Sequence, residues 1–179
     1  IFHELAHQQL YIKNDTSFNE AFASAVGQLG VMAWLEAESN AAELQRYLDS
    51  QQQKQQLYKI VDNLRQQLVE IYDSAGSEPE KIMLKQQAFA AYQQRVISQL
   101  EQWGKLQNYR QWLLEDMNNA KLNAFSTYQA LVPEFINLFE SCHKDFSEFY
   151  RGVKSTQRLN HQQRVEFLKQ AECHLATNK

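Results

Sequence analysis

Apolar residues recur at intervals of three and four along most of this chain, the spacing that lines one face of an α-helix. The longest such stretch runs from about Ala41 to Tyr72, where Leu57, Ile60, Val61, Leu64, Leu68 and Ile71 form a stripe. "DSAGSEPE" interrupts it, and Pro79 suits the first turn of a new helix. From residue 79 to about residue 114 a second stripe carries Phe89, Tyr92, Val96, Leu100 and Trp103. Two helices of roughly 30 residues joined by a short loop predict an antiparallel hairpin. At about 1.5 Å per residue it extends on the order of 45 Å.

Shorter helices flank it. Residues 1–12 read as the remainder of a helix, and "IKNDTSFN" is a loop rich in helix-capping types. A helix from about Phe18 to Ala37 carries Phe18, Phe22, Val26, Leu29 and Ala33 on one stripe. Gly27 and Gly30 lie inside it, which weakens the helix and predicts close approach of another element. After the hairpin, Pro133 marks a helix start and Asn160 a helix cap. No repeat or convincing strand is visible. The expected fold is an all-α helical bundle with a long antiparallel helical hairpin. It is read as one domain over 1–179: site helices 1–37, hairpin 41–114 and C-terminal helices 115–179.

Composition agrees with long helices. Only 5 Gly and 2 Pro occur, too little punctuation for strand-and-turn architectures. Hydrophobic residues make up 44% and charged residues 22%, and the net charge of -3 argues against nucleic acid as a partner. The polar excess is glutamine, a good helix former. No apolar run reaches the roughly 20 residues needed to span a bilayer. The chain starts at Ile1, and His3 already needs a helix beneath it, so the expectation is the C-terminal part of a longer protein. Cys142 and Cys173 set no compartment: they can pair in an oxidising space or stay as small buried thiols, and the second is expected.

The chemistry concentrates at the start. His3-Glu4-Leu5-Ala6-His7 is the pattern H-E-x-x-H. On a helix, residues four apart lie on one face, so the two imidazoles can converge on one ion at about 2.0–2.1 Å each. Glu4 is rotated off that face, where it can reach a water at the ion and act as general base. The ion lowers the water's pKa and polarises the scissile carbonyl. A catalytic zinc keeps three protein ligands and one open position, so a third ligand is needed downstream. Glu20 in "FNEAFAS" is the candidate, on the next helix and among Phe18 and Phe22, where a lone carboxylate is expensive. Asn19 is placed to position the backbone leading into the site.

"HELAH" followed by "NEAFA" resembles the gluzincin metallopeptidases, in which two histidines and a downstream glutamate bind zinc. The likeness is greatest to a bacterial family of predicted zinc aminopeptidases sharing "IFHELAHQ.LY", "DT.FNE.FA", "NNA.L" with a following Tyr, and "VP.F..L". The counterparts are Ile1 to Tyr11, Asp15 to Ala23, Asn118 to Leu122, Tyr128, and Val132 to Leu138. The resemblance implies zinc on His3, His7 and Glu20, Glu4 as base, and a peptide substrate. It also implies an exported protein, periplasmic or membrane-anchored by an upstream lipid. Two departures stand out. The interval from His7 to Glu20 is shorter than in better-known gluzincins. Ser24 stands where thermolysin-like enzymes carry an aspartate that orients a ligand histidine, so another acceptor is required.

Hydrolysis needs a group to stabilise the oxyanion. Tyr128 is the first choice and Tyr11 the runner-up, although Tyr128 also suits plain helix packing. Asn118 and Asn119 suit helix caps better than substrate contacts, and His143, His161 and His174 read as surface residues. Trp103, Tyr109 and Trp112 read as hairpin packing. The reading is therefore a zinc-dependent peptidase, aminopeptidase-like. The alternative is a non-catalytic helical binding or scaffold module with a structural or vestigial metal site. Peptide specificity, exo- or endopeptidase action and oligomeric state are not encoded in any motif found.

Overall fold

The computed structural model describes residues 1–105, 109–115, 117–118, 120–122 and 130–173. Among them the structure is helical, without strands. Its helices are α1 (Phe2–Gln9), α2 (Thr16–Ala37), α3 (Ala41–Asp73), α4 (Glu78–Gln102), α5 (Val132–Ser141), α6 (Phe146–Ser155) and α7 (His161–Gln170). A π-helical turn at Gln111–Glu115 and a 3-10 turn at Thr156–Arg158 complete the order. None of these helices is long and apolar enough to cross a membrane.

The chain divides into two compact units. One joins Ile1–Tyr47 to Thr127–Lys179, so it is built from both ends of the sequence. The other is Leu48–Ser126.

The terminal unit is organised around α2. From Phe18 to Gly30 this helix is covered on nearly every side, because α1 packs on one flank and α5 on another. Phe18 and Phe22 meet Phe135 of α5 at ring-centroid distances of 5.0 and 5.6 Å. Phe149 of α6 and Phe167 and Leu168 of α7 close the same core. Small residues explain the α1 contact. A Cβ on Gly30 would lie 2.8 Å from Cγ of Phe2, and one on Gly27 3.8 Å from Cβ of His3. The two glycines are thus where α1 presses onto α2. Ala33, placed on the stripe by periodicity, is exposed.

The helix starts follow from their caps. Asp15 accepts from the Phe18 amide at the head of α2, and Asp145 accepts from Ser147 and Glu148 at the head of α6. Asn160 and Gln163 bond each other's backbone amides at the head of α7. At the head of α4, the Glu80 carboxylate accepts from the Ser77 amide and hydroxyl, both at 2.8 Å.

The hairpin unit pairs α3 with α4. Leu57, Val61, Leu64 and Leu68 form one buried stripe and Ala88, Tyr92, Val96 and Leu100 the other. Lys105 donates to Gln53 at 2.6 Å, Arg95 to Asn63 at 3.1 Å and Lys81 to the Tyr72 carbonyl at 2.9 Å. Positions rise on one arm as they fall on the other, so the arms are antiparallel. Burial pushes the Tyr92 phenol well above its usual range, and its hydroxyl donates to the Leu113 carbonyl at 2.8 Å.

Two expectations are corrected. The second arm stops at Gln102 rather than near residue 114. Gly104 adopts a left-handed φ of 65°, its amide bonds the Glu101 carbonyl and the Lys105 amide bonds the Leu100 carbonyl. That pair of bonds is a glycine-dependent helix stop. The cysteines are also not free thiols. Cys142 and Cys173 form a disulfide with Cα atoms 4.9 Å apart, because α5 packs against α7 and Ala171 ends α7 in a left-handed turn.

Candidate metal centre

α1 and α2 bring three side chains together. His3 Nε2 lies 3.4 Å from Glu20 Oε2, and His7 Nε2 lies 3.7 Å from Glu20 Oε1. One donor atom from each residue lies within 4.8 Å of the others. Two ligands at about 2.1 Å on a tetrahedral ion sit about 3.4 Å apart, so these separations suit a shared ion with little movement. The two imidazoles stand edge to face, ring centroids 5.0 Å apart. All three side chains are half-buried, 20% to 33% exposed, which keeps the site reachable while removing much of the competing solvent.

The convergence has a local cause. His3 and His7 are one turn apart on α1, and α2 passes beneath His3 at Gly27, one turn before the close contact of Gly30 with Phe2. The connecting loop is held by Asn19, the residue before Glu20. Its side-chain oxygen accepts from the Ile12 amide at 2.8 Å and its nitrogen donates to the Ile12 carbonyl at 2.7 Å. Both bonds are buried, so the loop entering α2 is fixed to the helix that carries Glu20.

At the head of α2, the buried Asp15 carboxylate accepts from Arg164 of α7 through Nε at 2.9 Å and Nη2 at 2.6 Å. His161 Nδ1 lies 3.0 Å from both Asp15 oxygens. Burial pushes the Asp15 carboxyl up. Hydrogen bonds involving His161, Arg164 and the Phe18 amide outweigh it, and the net direction is down from 3.8.

A family model described as "Putative aminopeptidase" matches residues 1–168. The chain belongs to this aminopeptidase family. No curated protein and no solved structure matches it.

Within the aminopeptidase family frame, the other predicted residues fall as follows. Glu4 is exposed on α1 beside His3. Tyr128 lies outside the described residues, as do Asn119 and His174. Tyr11 is 66% exposed. Asn118 accepts from the Lys121 amide at 3.1 Å, the bond of a helix cap. Trp103 and Tyr109 pack on the hairpin core, whereas Trp112 is exposed. His143 is exposed in the turn after α5, with a φ of 55°. His161 is more than half exposed, as a surface residue should be, yet its ring meets Asp15. Among the described residues, the buried His7 Nδ1 has no hydrogen-bond partner. Ser24 therefore does not orient His7 through that nitrogen.

Sequence reasoning missed Asp15 and Arg164. A signal was present: Arg164 stands three and four residues before Phe167 and Leu168, on the apolar stripe of α7. A guanidinium at such a position needs a buried acceptor.

Proposed function

We propose that this member of the aminopeptidase family is a zinc-dependent peptidase, with His3, His7 and Glu20 as the zinc ligands. The convergence of these donors on one half-buried spot carries the reading. The donor chemistry fits: two imidazoles and a carboxylate suit zinc. Among the described residues, no fourth metal-binding side chain joins this group, which is the arrangement of a site with an open position rather than a closed structural one. Zinc held there would make a water acidic and polarise a peptide carbonyl.

The chain's own groups then have distinct tasks. Glu4, one residue from His3 and open to solvent, takes the proton of the attacking water and returns it to the leaving amine. Tyr128 is assigned to the developing oxyanion by the family resemblance. Removal of an amino-terminal residue is the form of hydrolysis that the family description supports. The Cys142–Cys173 disulfide supports an oxidising location, in keeping with a periplasmic or lipid-anchored protein.

Elemental analysis tests the ligands and an aminoacyl-amide assay tests the base. About one zinc per chain is expected, lost in His3→Ala. Glu4→Gln retains the metal and loses cleavage. Full activity in Glu4→Gln overturns the mechanism.

A further inference from the structure

The contact between α7 and the head of α2 is an ion pair between residues 149 apart in sequence. Arg164 is 6% exposed and Asp15 5% exposed. Besides its two bonds to Asp15, the guanidinium donates to the Leu159 carbonyl and lies 5.5 Å over the Phe18 ring. Asp15 in turn accepts from the Phe18 amide at 3.3 Å and the Ser17 hydroxyl at 3.2 Å. Such pairs are weak evidence for stability, since apolar residues of similar volume often replace them without loss. What two guanidinium donors meeting on one buried carboxylate oxygen, Oδ2, do supply is a fixed direction of approach.

We propose that Arg164 is a positioning residue for the zinc ligand Glu20, acting through Asp15. The inference rests on the metal reading above. Asp15 is the cap of α2, so its place sets where that helix begins and how it is rotated. Glu20 follows five residues later on the same rigid helix. Asn19 grips the other end of the loop at Ile12. The helix bearing the carboxylate is thus held at two points, one of them from α7. Metal sites tolerate little error: about 0.5 Å or 10–20° separates productive from loose geometry. Without the Arg164 grip, the head of α2 keeps its cap and, from α7, only the more than half exposed His161 ring, and the carboxylate no longer meets both imidazoles at one point.

The test uses the 179-residue chain. Its zinc dissociation constant is measured by chelator competition, and its cobalt(II) form by visible absorption, which reports ligand geometry. The key variant is Asp15→Ser with Arg164→Met. It keeps a capping oxygen and leaves no buried charge unpaired, so it preserves the fold where Arg164→Met alone strands Asp15. Expected is at least a tenfold weaker zinc affinity and an altered cobalt spectrum, with a circular dichroism spectrum like wild type. Arg164→Lys, which retains the charge but not the fork, weakens zinc by several-fold. A folded double variant with wild-type affinity and spectrum overturns the positioning role. A wild-type chain that takes up no zinc overturns the metal reading, and this inference with it.

Discussion

The hairpin and the helices around the candidate metal site use the same material in opposite ways. In the hairpin the buried stripe between α3 and α4 is made of Leu, Val, Ala and one Tyr, and the polar links Arg95–Asn63 and Lys105–Gln53 join residues only 32 and 52 apart. In the terminal unit the contacts that matter lie far apart in sequence. Asp15 meets Arg164, Lys154 donates to Gln9, and buried polar groups stand among phenylalanines packed edge to face. A periodic stripe is enough to specify a hairpin, since any register that buries it is nearly right. A metal site is not served by burial alone. It needs hydrogen bonds with direction, and those come from residues that local patterning does not connect.

The comparison can be broken most forcefully in the two cores. Phe22→Ala removes a ring that meets Phe135, Phe149 and Tyr150, and should cost about 3–5 kcal/mol. Leu64→Ala in the hairpin should cost about 2–5 kcal/mol. Denaturant unfolding followed by hydrogen exchange decides whether each change lowers protection only in its own unit. If both lower protection everywhere alike, the units form one cooperative block and the contrast fails. Next in size is the disulfide. Replacing Cys142 and Cys173 by alanine should cost about 2–4 kcal/mol, with the loss confined to the terminal unit.

The next prediction concerns acid. Asp15 has a depressed folded-state value, so its stabilising contribution is complete above its unfolded-state pKa near 3.8. The contribution is lost as pH falls through the lower folded-state value. Urea midpoints taken from about pH 5 down to pH 2 should fall for the terminal unit, and Asp15→Asn should flatten that part of the fall. The smallest effect separates the two glycines. Gly27→Ala meets only ordinary contacts at 3.8 Å, and should gain up to about 1 kcal/mol from helix propensity. Gly30→Ala must push the Phe2 ring aside from 2.8 Å, so thermal melting should show no such gain.

Much of the fold was legible because most of it is periodic. The α3 stripe at Leu57, Val61, Leu64 and Leu68 is buried as its spacing requires. Pro79, Pro133 and Asn160 stand at helix starts for reasons that need no tertiary context. The meeting of His3, His7 and Glu20 could also be read, since a four-residue step and one short loop are local geometry. The end of α4 was misread because apolar spacing continues past Gly104, while the backbone turns left-handed there. The Cys142–Cys173 pair and the Asp15–Arg164 pair depend on α5, α6 and α7 folding back over α2, and no spacing rule encodes that return.

The Asp15–Arg164 contact also sets an order of events. As the chain leaves the ribosome, α3 and α4 can zip together once residue 102 is out. α1 and α2 have been made long before, with both imidazoles and the carboxylate already present. Yet the guanidinium that grips the head of α2 is 149 residues behind its partner. The first part of the candidate site to be synthesised is therefore the last to be finished, and a nascent chain carries these side chains without that second grip until residue 164 has been made.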